Sequence, residues 1–133
     1  MLFNTLFLVD DDTTSNFLNE QWIKKTGLLK KVHVFNYANI ALYELQKLLS
    51  NAGEIPDLIL LDIKMPYMDG WQFLAEFQKL PQAVLENCNL FMLSSSADPL
   101  DVERSKTFKV VRGFIEKPLT ADKLKGLKQP AIV

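Results

Sequence analysis

The chain has 133 residues, the size of one ordinary domain, and no stretch of it approaches the roughly 18 consecutive apolar residues of a membrane span. Fifteen Lys and Arg against sixteen Asp and Glu leave a formal charge of -1, which argues against a sequence-independent nucleic-acid binder. A hydrophobic share of 48% with 23% charged residues fits a globular domain with its own core, not a disordered tail. Met1 to Thr5 carries no positive charge, unlike a secretion signal, and the lone Cys88 cannot form an internal disulfide. Both features point to the cytoplasm.

Thr5 to Val9 is an apolar run that stops at Asp10, Asp11 and Asp12, and it predicts a buried strand. A helix follows, capped by Asp12 or Thr13, with Leu18 and Trp22 four apart on its expected inner face and Gly27 at its end. Trp22 is therefore expected in the core. Lys31 to Phe35 reads as a second strand, with Val32 and Val34 on one face. Ala41, Leu42, Leu45, Leu48 and Leu49 recur at helical spacing until Asn51-Ala52-Gly53 closes the helix.

Asp57 to Leu61 is a continuous apolar run, as in a strand covered on both faces, and it ends at Asp62. After a loop with Pro66 and the turn pair Asp69-Gly70, Phe73, Leu74 and Phe77 mark a third helix that Pro81 should end or kink. Asn89 to Leu93 is a fourth strand, delivering Ser94, Ser95 and Ser96. Asp98 then caps a helix with Pro99 at its first position. Val110 to Ile115 forms a fifth strand and reaches Lys117-Pro118. Thr120 caps a short last helix carrying Leu124 and Leu127, which Pro130 stops. Five strands alternating with five helices predict an α/β fold, a parallel sheet with helices on both faces.

In such a sheet ligands bind beyond the carboxyl ends of the strands. Those are the places where this chain puts Asp10, Asp11, Asp62, Ser94 and Lys117. If the first and third strands are neighbours, their ends lie about 4.8 Å apart and three carboxylates crowd one cleft. At ~5 Å and an effective dielectric of about 20, each pair repels by roughly 3 kcal/mol. The cluster therefore calls for a cation or a raised pKa. Oxygen donors without His or Cys favour a hard ion, Mg²⁺ over Zn²⁺. Lys117 and the Ser94 hydroxyl add the cation and donor that a phosphoryl group requires.

Singly, each residue has a plainer use. A strand-end aspartate is usually a helix cap, which suits Asp12, but only one of Asp10, Asp11 and Asp12 can serve as that cap. A lysine before proline is ordinarily a solvated loop residue, and a serine entering a helix ordinarily bonds locally. It is their conjunction at four strand ends that carries the reading.

Four segments, spread from residue 8 to residue 118, resemble the receiver domain of two-component response regulators. They are Leu8 to Asp12, Leu60 to Gly70, the step Ser94-Ser95, and Gly113 to Pro118. The stretch from Asp62 through Met65-Pro66-Tyr67-Met68-Asp69-Gly70 is the most specific. The resemblance implies a flavodoxin-like, doubly wound five-stranded sheet of order 2-1-3-4-5 and a single receiver domain over residues 1–133, without an output domain. It implies that Asp62 accepts a phosphoryl group from a sensor histidine kinase or a histidine phosphotransfer protein. Asp11, Asp62 and the backbone carbonyl of Lys64 would ligate Mg²⁺, with Asp10 acting through water. Ser94 and Lys117 would bind phosphoryl oxygens, and the Lys117-Pro118 bond would be cis. Ser94 and Phe114 would be switch residues, shifting the face made by the fourth helix, fifth strand and fifth helix toward an unknown downstream protein.

Lys64 and Ser96 stand where family members control the route of the attacking water, so both are expected to tune autodephosphorylation. Beyond its own phosphorylation and this slow hydrolysis, no conventional enzyme activity is expected. Only sixteen residues follow Lys117, so the last helix is expected to be short, which weakens the family's usual dimer surface there.

Two rivals remain at this level. Asp10-Asp11-Asp12-Thr13-Thr14 also fits the Asp-x-Asp-x-Thr signature of haloacid-dehalogenase-like phosphatases, with Asp10 as nucleophile and Asp12 as acid/base. That reading leaves Asp62 and its loop unexplained, and only Asp122 remains after Lys117 for a fourth acidic motif. A non-phosphorylated binding module on the same fold is the other. Elsewhere, His33 is expected to be structural or solvent-facing, Cys88 inert, and Trp71 exposed near the site.

Overall fold

A computed structural model describes residues 3–95 and 98–127. In chain order the elements are β1 (Phe3–Val9), α1 (Thr13–Thr26), β2 (Leu29–Phe35), α2 (Ala38–Ser50), β3 (Leu58–Asp62) and α3 (Gly70–Phe77). They continue with α4 (Gln82–Asn87), β4 (Asn89–Ser94), α5 (Pro99–Ser105), β5 (Val111–Glu116) and α6 (Ala121–Lys125). The five strands form one parallel sheet of order β2-β1-β3-β4-β5. Strand order reverses between β1 and β3, whose register sets Val9 beside Leu61. The residues that follow these two, Asp10 and Asp62, therefore leave the sheet side by side.

Alternation along the strands sorts the core into two layers. Phe7, Val9, Ile59, Leu61 and Met92 face Ala41, Leu45, Phe73 and Phe77 of α2 and α3. Leu6, Leu8, Leu58, Leu60 and Leu93 face the opposite way, toward Ile23 of α1 and Leu124 of α6. Burial on both sides is why β1 and β3 read as unbroken apolar runs. Removing one of these fully buried leucines to alanine would cost about 2–5 kcal/mol.

The helix ends follow the local chemistry. The Asp12 carboxylate accepts from the Ser15 amide, Asp69 and Gln72 form a reciprocal capping box, and Thr120 caps α6. Gly27 closes α1 in the left-handed region at φ 65°. Gly70 is required for a different reason. A Cβ there would lie 2.6 Å from the Asp62 carbonyl oxygen, so only glycine lets α3 start against the backbone of β3.

Three expectations need correction. The described residues contain six helices, not five, because Pro81 both ends the α3 region and begins the six-residue α4. One short turn buries only Val84, too few apolar positions to show a helical period. On α1, Leu18 and Trp22 face outward, at 53% and 47% exposed, and the buried stripe is Asn16, Asn19 and Ile23. Hydrogen bonding explains the inversion: Asn16 Nδ2 donates to the Asp10 carbonyl at 2.7 Å and to Asn36 Oδ1 at 3.1 Å. Trp71, expected at the surface, is 7% exposed. It stacks on Phe108, in the loop after α5, with ring centroids 6.0 Å apart. Pro130 lies outside the described residues.

Candidate functional site

Every strand that points its carboxyl end at the switch point delivers a polar residue there. Asp10 follows β1 and is fully buried, its amide donating to the Phe35 carbonyl at 3.0 Å. Asp62 ends β3, half-buried, with its carboxylate accepting from the Ile63 amide at 2.9 Å. Asp11 lies exposed between them and α1. One carboxylate oxygen from each of the three lies within 4.8 Å of the others. Ser94 is buried at the end of β4.

Lys117 enters from the loop after β5, whose end is tied to β4 by a 2.6 Å bond from the Lys117 amide to the Ser94 carbonyl. The Lys117–Pro118 bond is cis. The Lys117 ammonium lies 2.5 Å from Asp10 Oδ2 and 3.8 Å from Asp62 Oδ2. Asp10 is thereby satisfied: its other oxygen accepts from the Asp12 amide at 3.0 Å. Asp62 is not. Burial, reinforced by the nearby Asp10 charge, pushes its carboxyl up to about 7, against the opposing pull of Lys117 and the Ile63 amide. Positive charge brought beside it would favour the ionised form, the proton leaving to solvent. The donor set, carboxylates only, suits a hard divalent ion with oxygen preference.

The same geometry disfavours the phosphatase alternative. Asp10 has no exposed surface and both its oxygens are engaged, while Asp12 is spent on capping α1. Neither is presented as nucleophile or free acid/base.

Other expected residues fall as follows. Lys64 is exposed and, with Asp11, lines a cavity of about 550 Å³ beside the acidic cluster. Phe114 lies on β5, half-buried against the α3 side of the core and in register with Met92. Ser96 lies outside the described residues. His33 is exposed on β2, its ring edge-on to Phe7. Cys88 is buried, and that burial pushes its thiol up to about 12, which leaves it inert. Arg104 was not anticipated: its guanidinium sits 4.6 Å from the Trp71 ring centroid and lines the same cavity as Lys64. A lone arginine in a helix carries no spacing signal.

A parallel sheet of this order, with carboxylates and a lysine gathered at its switch point, defines a class: phosphoryl-accepting signalling domains with an acidic site able to hold a metal ion. Residues 6–127 match the response regulator receiver domain, and the chain belongs to that family. It is a phospho-accepting signalling switch of two-component systems, and receiver domains take their phosphoryl groups from histidine kinases.

The fold is similar to a two-component response regulator from Cytophaga hutchinsonii, with TM-score 0.87 and 32% identity, covering 95% of this chain and 94% of that one. It is also similar to a response regulator receiver protein from Dyadobacter fermentans, with TM-score 0.82 and 34% identity, covering 93% and 94%. Among curated proteins, the sensor histidine kinase CheAY of Helicobacter pylori is 29% identical over 116 residues. The match takes in 87% of this chain but only 13% of that longer protein. No helix among the described residues is long and apolar enough to cross a membrane.

Proposed function

We propose that Asp62 is the phosphoacceptor and that it receives its phosphoryl group from a histidine kinase or a histidine phosphotransfer protein. The observation that carries this assignment is the contrast within the cluster: Asp10 is buried and saturated, whereas Asp62 keeps an oxygen facing Lys117 at 3.8 Å and holds a raised pKa. A carboxylate nucleophile must be ionised, partly accessible and next to positive charge, and Asp62 meets those terms once a cation shares the site.

Asp11 and Asp62, with the backbone carbonyl of Lys64, would hold Mg²⁺, and Asp10 would act through water. Bound there, the ion supplies positive charge that offsets the carboxylates and the transferring phosphoryl oxygens. Lys117 would release part of its hold on Asp10 to meet a phosphoryl oxygen, and the Ser94 hydroxyl would donate to another. The Ser94 movement would free space for Phe114 to turn inward, shifting the face formed by α5, β5 and α6 and so changing which protein binds. Complete switching, from 1:99 to 99:1, needs about 5.5 kcal/mol of differential stabilisation, so partial activation is the expected behaviour. The likeness to one stretch of a sensor histidine kinase supports a donor of that class.

The test is incubation with acetyl phosphate and Mg²⁺ followed by intact-mass measurement. The chain should gain one phosphoryl group, and Asp62→Asn should gain none. If Asp10→Asn abolishes incorporation while Asp62→Asn retains it, the assignment is wrong.

A further inference from the structure

Lys123 stands in the first turn of α6, half-buried, and commits its side chain to the main chain of the loop before it. Its ammonium donates to the Glu116 carbonyl at 2.6 Å and to the Pro118 carbonyl at 3.0 Å. Those two carbonyls belong to the residues on either side of Lys117. Among the described residues Lys123 forms no ion pair, so its charge strengthens these two bonds and serves no carboxylate. Its own place is set from the same loop. Thr120 Oγ1 accepts from the Lys123 amide at 3.2 Å, and Leu119, 1% exposed, shares a core cluster with Leu124 of α6. A helix of five residues has little stability of its own, so the loop and the helix hold each other.

We infer that Lys123 is a positioning residue: by pinning the carbonyls on both sides of Lys117, it aims the Lys117 ammonium at the gap between Asp10 and Asp62. The inference rests on the role proposed above for Lys117 at a phosphoryl oxygen. A lysine carries its charge on a flexible four-carbon stem, so the ammonium is placed only as well as the backbone beneath it. Here that placement matters, because the ammonium lies 2.5 Å from Asp10 Oδ2 and 3.8 Å from Asp62 Oδ2 and has to shift from one toward the other. On the β4 side, the Lys117 backbone is tethered by its amide to the Ser94 carbonyl, and Ser94 itself moves in the proposed switch. The two Lys123 bonds tether the same backbone without a switching residue. Lys123 acts through Lys117 and not as a charge on the acceptor, since the charges that act on Asp62 are those of Asp10 and Lys117.

The experiment compares the wild type with Lys123→Met, Lys123→Gln and Lys123→Arg in two measurements. One is the second-order rate of phosphorylation by acetyl phosphate at saturating Mg²⁺. The other is trace acetylation by acetic anhydride without Mg²⁺, mapped lysine by lysine by peptide mass. Lys123→Met should be phosphorylated about fivefold more slowly at low and at high salt, with Lys123→Gln close to it and Lys123→Arg, which keeps donors for both carbonyls, recovering most of the loss. Lys117, held in its ion pair, should be protected in the wild type and acetylated severalfold faster in Lys123→Met, while the exposed Lys79 and Lys106 react alike throughout. The buried Cys88 should stay unreactive toward a thiol reagent in every variant. Equal rates with equal Lys117 labelling overturn the inference. So does slower phosphorylation with Lys117 still protected, or a loss that vanishes at high salt, which marks a direct charge effect. Cys88 reacting together with Lys117 in both Lys123→Met and Lys123→Gln marks general loosening and overturns it as well. Faster Lys117 labelling with an unchanged rate removes Lys117 from phosphoryl transfer. A wild-type chain that takes up no phosphoryl group overturns the Asp62 assignment, while the labelling still decides whether Lys123 places Lys117.

Discussion

Two aspartates sit at opposite ends of the same strand, and the protein treats them in opposite ways. Asp57 precedes β3 and accepts from the Thr5 amide at 2.9 Å and from the Asn4 amide at 2.9 and 3.2 Å. Its carboxylate is consumed in holding the start of β1 against β3. Asp62, five residues later, accepts from a single backbone amide and faces another carboxylate, with burial pushing its pKa to about 7. A structural carboxylate is satisfied by its own chain, whereas one meant for a ligand is left under-satisfied until that ligand arrives. The switch point supplies the difference, because only at that end of β3 does a neighbouring strand deliver Asp10 and Asp11.

The largest effect should come from the structural member of the pair. Asp57→Ala removes the acceptor of two backbone amides, of which the Thr5 one is buried, and should cost about 2–3 kcal/mol in urea denaturation. Phosphoryl uptake per folded molecule should stay near wild type. A stable Asp57→Ala protein that cannot be phosphorylated would reverse the roles assigned to the two ends.

A pH effect should come next, confined to Asp62. In the metal-free protein, the folded state keeps a proton at Asp62 between the ordinary carboxylate value of 3.8 and about 7, where the unfolded chain has lost it. That contribution to stability is fully present below the lower value and is lost as pH rises through the upper one. Denaturation from pH 5 to 8 should therefore show a fall in stability that is smaller in Asp62→Asn, and Mg²⁺ at pH 8 should recover more stability in the wild type. Parallel pH profiles for the two proteins would contradict the environment described for Asp62.

Lys64→Asn tests the loop after the functional carboxylate. The lysine is exposed beside the cluster, so removing its bulk and charge should alter the half-life of the phosphorylated chain severalfold, while folding stability changes by less than about 0.5 kcal/mol. Identical half-lives would remove Lys64 from the list of rate-setting positions. The smallest effect is expected far from both carboxylates: Leu18→Gln, on the outward face of α1, should shift stability by no more than about 0.5 kcal/mol. A loss of several times that would restore the inward orientation that the sequence pattern favours.

That last residue marks where sequence reading stops being reliable. The strands of the sheet were legible because β1, β3 and β4 are buried on both faces, and their apolar runs end abruptly in Asp10, Asp62 and Ser94. The site was legible for the same reason, since the polar residues stand at those ends. On α1 the pattern misled, because Asn16 is buried through its bonds to the Asp10 carbonyl and Asn36, partners distant in sequence. Hydrophobic periodicity carries no record of such bonds. The contact of Arg104 with Trp71 was likewise hidden: it joins residues thirty-three positions apart that share no motif.

The account turns on which carboxylate carries the phosphoryl group, and this can be read chemically. After reaction with acetyl phosphate and Mg²⁺, borohydride reduces an aspartyl phosphate to homoserine, and peptide mass mapping locates the converted residue. Conversion at Asp62, with Asp10, Asp11 and Asp57 unchanged, is the predicted result. Homoserine at Asp10 or Asp11, with Asp62 intact, would contradict it.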